Sequence, residues 1–476
     1  MSWPDIDAVL RPPLTALLGN GNAVLIAAGL MLVLCGCWRL TRPRVQDRHR
    51  RGALLVDGRA MQRRTARRNR AEIRAVSLAG VAIASGDETK HFKLIGTTGT
   101  GKSTAIRELL GAALARGDRA VFADPDGGYL NRFYDRYRGD IVLNPFEADS
   151  VKWNLFAELR NSYDIEQLAS GLIPTSSDPS ASEWRGYART FFTAVVRRCH
   201  TAGWQDSATL WRLLTAASAV ELRPFVADTP AQPFLDPDNS RMFGSIRSVT
   251  GSAIAAFEYI QRQRASPFSV RNWVRADGEP GVLFIPYKAG QIAALRSIIA
   301  TWMRLAIFEA MSQAENRDQR LWFVVDELDA LGAIDGLKDA LARLRKFGGR
   351  CVLGFQSIAQ VSNTYGQSDA QTIVENCGNT LILRCSASEN GGTAQFASRL
   401  IGEREILRRQ LSRGSDRESA WAVRGSRRSR NVTEQYATEA AVMPSEIEQL
   451  PDLGGYLKCA SSRQWLKVSF RERSHG

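Results

Sequence analysis

GTTGTGKS, residues 96–103, meets every constrained position of the pattern G-x-x-x-x-G-K-[ST]. Its surroundings fit as well. Residues 91–95 (HFKLI) read as a buried strand feeding the loop, and residues 104–116 place Ile106, Leu109, Leu110, Ala113 and Leu114 at helical spacing. Strand, glycine-rich loop and helix in that order are what a phosphate-binding loop requires, and a surface turn rich in glycine and threonine is the plain alternative.

The physics of such a loop is specific. Glycines at 96, 99 and 101 let the backbone turn so that successive N–H groups face inward, at the positive end of the following helix. Lys102 supplies a mobile cation for the β- and γ-phosphates, and the Ser103 hydroxyl is placed to ligate Mg2+. The expected ATP cradle is Gly96, Thr97, Thr98, Gly99, Thr100, Gly101, Lys102, Ser103 and Thr104.

Residues 321–325 (LWFVV) form an apolar run that ends in Asp326 and Glu327. The run suits a central parallel strand that delivers two carboxylates at its C-terminal edge, where the ligand sites of wound sheets lie. Asp326 is expected to hold the metal, commonly through water, and Glu327 to polarise the attacking water as general base. Acid pairs at strand ends also cap helices, so this pair takes its meaning from the loop upstream.

With 476 residues the chain is long enough for a membrane anchor and two sizeable folded bodies. The net charge of +14 suggests a nucleic-acid partner only until its position is considered. Residues 39–74 hold thirteen arginines against Asp47, Asp57 and Glu72, a surplus of ten, and residues 402–430 hold nine arginines against four acids, a surplus of five. All the rest carries about one negative charge, so the folded body is close to neutral. The seven cysteines are scattered, odd in number and without metal-ligand spacing to the four histidines, which suits a reduced compartment.

Residues 12–38 contain no charge, and residues 23–38 are almost wholly apolar. One spanning helix of roughly twenty residues is feasible there, with Cys35 and Cys37 as small membrane-buried side chains. Asp5, Asp7 and Arg11 precede the run, whereas Arg39, Arg42, Arg44 and Arg48 follow it, so the positive-inside rule predicts a single pass with everything after Arg39 in the cytoplasm. The leading basic residues of a cleaved signal peptide are missing. A second span over residues 8–19 would be short and interrupted by Arg11, Pro12 and Pro13. The arginines of residues 39–74 set topology and attract anionic lipid, at about 1 kcal/mol per basic residue near the surface, or else contact DNA. A helix is expected over residues 61–73.

The pattern along the chain predicts an α/β fold with five parts. These are a tail and transmembrane anchor (1–40), a basic juxtamembrane segment (41–75), the first part of a nucleotide-binding α/β domain (76–179), an all-helical insertion (180–275) and the second part of the α/β domain (276–476). Strands are expected over 76–83, 119–122 and 140–142. Trp184, Ala188, Phe191, Phe192 and Val195 share one helical face in the insertion, and Pro230, Pro233 and Pro237 break it into short pieces. A strand over 281–286 and a helix over 292–314 lead back to the acidic strand. The strand over 351–355 ends at Gln356, which either senses the γ-phosphate or is a satisfied strand-end amide. A strand over 379–383 leads to Arg384, residues 402–430 read as a mobile polar loop, and residues 456–457 and 465–469 as closing strands.

Taken together, HFKLIGTTGTGKST, FADPDGGYL (122–130), NPF (144–146), FVVDELDALG (323–332), RKFGGRCVLGFQSIAQ (345–360) and MPSEIEQLPDLGGYLK (443–458) resemble the coupling proteins of conjugative type IV secretion systems, the TraD/TrwB-like ATPases. The resemblance spans most of the chain from about residue 76 onward, and the run 346–360 after the acidic strand is its most discriminating part. It implies a RecA-like P-loop NTPase domain with an all-helical lobe, anchored in the bacterial inner membrane and assembled as a homo-hexamer. It further implies that ATP hydrolysis with Mg2+ helps pass relaxase-bound single-stranded DNA toward the type IV secretion channel proteins.

Within that resemblance Lys102, Ser103, Asp326, Glu327 and Gln356 match positions that serve the nucleotide. Arg345 matches a basic position that reaches a neighbouring subunit's phosphate, where an arginine finger is worth about 10³–10⁵ in rate. Arg384 is the alternative finger, and a surface role is open for both. Asp124 either faces the nucleotide or caps a turn. The family usually carries two spans where this chain shows one, and the residues after the last expected strand form no acidic tail. Other readings are an FtsK/HerA-like translocase on duplex DNA, a membrane docking platform that uses ATP only for assembly, and a protein-only effector pump.

Overall fold

The run LWFVV is apolar at every position because both of its faces are covered. The computed structural model describes residues 48–71, 76–176, 178–276, 280–388, 391–415 and 428–470. Its strands, in chain order, begin with β1 (Arg48–Gly52), β2 (Leu54–Asp57), β3 (Ser77–Leu78), β4 (Val81–Ala82), β5 (Phe92–Ile95), β6 (Arg119–Pro125) and β7 (Ile141–Val142). There follow β8 (Lys152–Trp153), β9 (Pro267–Phe268), β10 (Val282–Tyr287), β11 (Leu321–Val325), β12 (Gly349–Phe355) and β13 (Asn379–Ile382). The last four are β14 (Glu403–Ser415), β15 (Arg428–Ala440), β16 (Gly454–Lys458) and β17 (Gln464–Ser469).

Ten strands form one mixed sheet in the order β2-β17-β16-β13-β5-β12-β11-β6-β10-β7. From β13 to β7 every pairing is parallel, while β16 runs antiparallel to β13 and β17. Parallel neighbours need long crossovers, which lay helices on both faces of the sheet. On β11, Leu321, Phe323 and Val325 join a buried cluster with Trp302 and Leu305 of the helix Ile292–Ser312. Trp322 and Val324 point the other way, into a second cluster with Ile106 and Leu109 of the helix Lys102–Ala115.

The chain leaves the sheet after β7 and returns as its neighbour β10. In between come the helices Asp164–Leu172, Pro179–Thr201, Ser207–Thr215, Ala219–Val226 and Ser240–Ala253. Capping explains where two of them start: Asp178 accepts the Ala181 N–H at 2.8 Å ahead of Pro179, and Asp206 accepts that of Thr209 at 2.9 Å. A helix, Asp164–Leu172, already precedes residue 180, and the stretch between β7 and β10 also holds the short strand pair β8 and β9. Residues 76–83 are a small hairpin, β3 with β4, turned at Ala79 and Gly80 with φ 51° and 72°, and lie outside the large sheet. The helix expected over 61–73 runs Arg59–Ala71.

Residues 402–430 depart most from the sequence reading. They hold all of β14 and the start of β15, which with β1 form a separate three-stranded sheet. Ion pairs replace the apolar alternation that normally reveals a strand: Arg50 pairs with Glu405 at 3.2 Å, and Arg404 and Arg408 pair with Glu439 at 2.9 and 3.0 Å. This sheet belongs to a unit of residues 1–52 and 404–439, while residues 53–403 and 440–476 make the other unit. Among the described residues no helix is long and apolar enough to cross a membrane; the apolar run 23–38 lies outside them.

Candidate nucleotide-binding site

The phosphate loop is slung between the ends of the strands that flank β5. Gly96 N donates to Phe355 O of β12 at 3.3 Å, and Thr97 N donates to Arg384 O just beyond β13 at 2.9 Å. Gly99 and Gly101 have φ of 78° and 112°, the left-handed region that suits glycine. A Cβ at Gly101 would also lie 2.7 Å from Leu453 Cδ2 and would have to displace that methyl, in addition to the conformational strain. The first N–H groups of the helix that starts at Lys102 have no intrahelical acceptor, which leaves them for an anion. Thr100 Oγ1 closes the loop on Thr97 O at 2.7 Å, while Thr98 is exposed and Thr104 half-buried.

Lys102 is buried, and its Nζ donates to Gly96 O at 2.6 Å. Burial lowers its pKa, and the charges of Asp326 and Glu327 oppose that shift. Ser103 Oγ donates to Asp326 Oδ2 at 2.7 Å. Tyr129 donates its hydroxyl to the same oxygen at 2.7 Å. Asp326 Oδ1 is buried and has no hydrogen-bond partner among the described residues. A buried carboxylate oxygen left without a donor, next to a hydroxyl and a phosphate loop, is the chemistry of a magnesium site that takes one or two protein oxygens and fills the rest with phosphate and water.

Glu327 follows Asp326 at the C-terminal edge of the sheet. Burial raises its pKa and the neighbouring Asp326 charge raises it further, while a hydrogen bond from Gln356 Nε2 to Glu327 Oε1 at 3.0 Å works against both. A carboxylate tuned upward and fixed by an amide can take a proton from water. β12, which ends one residue before Gln356, lies between β5 and β11. Gln356 therefore issues from the strand between the loop and the acid pair. Close approach is enforced at Gly354, where a Cβ would sit 2.2 Å from Asp326 O.

Asp124 does not reach this group by a hydrogen bond; it accepts the N–H groups of Tyr129 at 3.0 Å and Leu130 at 2.7 Å and so caps the turn after β6. Burial pushes its carboxyl up to about 6. The structure does not bring Arg345 to the group either. It is exposed in the turn Leu344–Phe347 before β12, so the length of that strand, about 20 Å at roughly 3.3 Å per residue, separates it from the acid pair. Within one chain no side chain crosses that distance. Arg384 adjoins the loop, but its guanidinium pairs with Asp452 at 2.6 Å.

Three residues escaped the sequence reading. Tyr129 lies in FADPDGGYL, where nothing marks an aromatic residue as a carboxylate's partner. Tyr287, at the end of β10, buries a hydroxyl without a hydrogen-bond partner among the described residues, and burial, then the charges of Glu327 and Asp326, push its pKa up. Gly354 did leave a signal, because a lone glycine inside an apolar strand marks a place where another backbone comes close.

Residues 75–471 match the family model described as the type IV secretion-system coupling protein DNA-binding domain. The chain belongs to this family. A coupling protein TraD from Escherichia coli (strain K12) is 31% identical over 405 residues, covering 83% of this chain and 54% of the relative. The plasmid coupling protein TrwB in complex with the non-hydrolysable ATP analogue ADPNP superposes with a TM-score of 0.76 at 31% identity, over 90% of this chain and 95% of that one. TrwB in complex with ADP and Mg2+ gives 0.76 at 31% identity over 91% and 95%. This coupling-protein chain thus has a TrwB-like fold with a mixed α/β sheet, and it spans about half the length of the curated relatives it matches.

Proposed function

We propose that this chain is a DNA-dependent ATPase of a conjugative apparatus. In this reading it is held in the bacterial inner membrane by residues 23–38 and recruits relaxase-bound single-stranded DNA, which it helps drive into the type IV secretion channel as a homo-hexamer. The nucleotide-binding domain is RecA-like, with the helical stretch as an insertion. The observation that carries the proposal is Ser103 and Tyr129 converging on Asp326 Oδ2 while Oδ1 stays buried and unpaired, beside the phosphate loop. The TrwB complexes with ADPNP and with ADP and Mg2+ support ATP and Mg2+ as the ligands.

Ser103 and Asp326 would hold the magnesium ion, which when bound neutralises charge on the terminal phosphates. Lys102 leaves Gly96 O to pair with the β- and γ-phosphates. Glu327 accepts the proton of the water that attacks the γ-phosphorus, and the Gln356 amide keeps that carboxylate aimed and reads whether the γ-phosphate is present. Arg345 enters the site of the adjoining subunit, a role that its exposure and its distance from its own loop support.

ATP turnover by the full chain in lipid nanodiscs, with single-stranded, duplex or no DNA, tests the reading. Turnover rises most with single-stranded DNA and is lost in Lys102→Ala. Equal turnover in all three arms contradicts the DNA half, stronger stimulation by duplex supports a duplex translocase, and conjugative transfer that survives Lys102→Ala supports a docking platform.

A further inference from the structure

The chain's two arginine-rich stretches, 39–74 and 402–430, lie more than 320 residues apart in sequence, yet β1 and β14 pair antiparallel, with Arg48 opposite Leu407 and Gly52 opposite Arg404. Part of each charge surplus therefore lies on one small sheet. By sequence, β1, β14 and β15 hold nine arginines and four glutamates. Glu405 and Glu439 are only 11% and 24% exposed, whereas Arg50, Arg51 and Arg408 are 55%, 78% and 51% exposed; Glu403 and Glu434 are exposed as well, so the sheet's positive balance comes from the excess of arginines over glutamates. Glu405 is clasped by Arg50 and Arg51 and Glu439 by Arg404 and Arg408, so each of these two groups keeps a net positive charge. Tyr436 is exposed, with the Arg50 guanidinium 4.6 Å from its ring centroid.

We propose that this sheet is a docking surface for the anionic headgroups of the membrane. Nine residues, 39–47, separate the end of the apolar run at Trp38 from β1. At roughly 3.5 Å per extended residue they keep β1 within about 35 Å of the bilayer edge. The sheet is thus confined to the neighbourhood of a negatively charged surface, where exposed arginines and an aromatic ring bind headgroups through charge and through a ring suited to the interface. Single-stranded DNA would also suit arginine and tyrosine. The short tether favours lipid, because it holds the sheet near the bilayer whether or not DNA is present. The proposal rests on the reading of residues 23–38 as a span.

Arginine footprinting of the full chain tests it. The protein is reconstituted in bilayers of phosphatidylcholine alone or mixed with phosphatidylglycerol, labelled with phenylglyoxal at low and high salt, and mapped by mass spectrometry. Arg48, Arg50, Arg51 and Arg408 are labelled several-fold more slowly in the anionic bilayer, the protection disappears at high salt, and the exposed Arg223 and Arg241 react equally in both. Equal labelling in the two bilayers, or protection that appears only when single-stranded DNA is added, overturns the proposal alone. Release of the protein from the bilayers by alkaline extraction overturns the anchor and the proposal with it.

Discussion

The Tyr129 hydroxyl lies 2.7 Å from Asp326 Oδ2, and its ring stacks on Phe122 with centroids 5.2 Å apart. The phenol fixes the carboxylate by the same oxygen that accepts from Ser103, at the edge of the phosphate loop. Tyr129→Phe keeps the ring and removes that restraint. It should weaken the apparent magnesium affinity of the ATPase by about 10–100-fold, the usual cost of losing a metal ligand's supporting hydrogen bond, while the circular dichroism spectrum stays unchanged. Magnesium titrations of turnover check this.

Gly354→Ala would place a methyl group 2.2 Å from Asp326 O. The turn that holds Asp326 and Glu327 must then move away from β12. The expected result is a stability loss of about 1–3 kcal/mol and a larger relative loss of turnover than the same change at Gly186, where a Cβ meets nothing within 4 Å. Denaturant titration and turnover on the two variants separate the effects.

His91 makes acid stability readable. Cys351 N donates to its Nδ1 at 3.1 Å, so Nε2 carries the proton and donates to Leu341 O at 2.9 Å. Burial lowers the imidazole pKa from 6.5 to about 4, helped by the charges of Arg345 and Arg350. Between those values the unfolded chain binds the proton and the folded chain does not, so stability falls as pH drops from 6.5 toward 4, by about 3 kcal/mol for this group. Asp124 acts in the opposite direction: its carboxyl is raised from 3.8 to about 6, and its contribution declines as pH rises through that range. The clean measure is the difference in denaturation free energy between wild type and His91→Asn across pH 4 to 6.5, which should shrink toward acid. A pH-independent difference would contradict the buried neutral imidazole.

If Arg345 serves a neighbour, inactive variants complement each other. Arg345→Ala keeps its own loop and acid pair, and Lys102→Ala keeps the finger. Mixed at concentrations that allow rings, the two should recover part of the turnover that each lacks alone. Arg384→Ala should cost less, because its guanidinium is tied to Asp452 within the same chain at 2.6 Å.

Elements governed by local pattern were legible in the sequence. The run of residues 96–103 announced the loop, and LWFVV with its two acids announced the central strand, because a strand buried on both faces must be apolar at every position. Pairings that depend on the tertiary fold were not legible. Strand order decides that Gln356 lies between the loop and the acids, and the sequence records order along the chain only. β14 and β15 were missed because their cross-strand attraction is ionic, and Arg404 and Glu439 look like loop residues until they are set opposite each other. Asp124 was ambiguous for the same reason, since a carboxylate that caps a turn and one that faces a nucleotide occupy the same place in the chain.

The most direct measurement is ATP turnover beside ATP binding for Glu327→Gln. The amide keeps the size of the side chain and can still contact Gln356, but it cannot take a proton. Binding should stay close to wild type while single-stranded-DNA-stimulated turnover falls by about 10²–10⁴-fold, the usual worth of a positioned general base. Wild-type turnover in this variant would contradict the assignment of Glu327 and the hydrolytic site built around it.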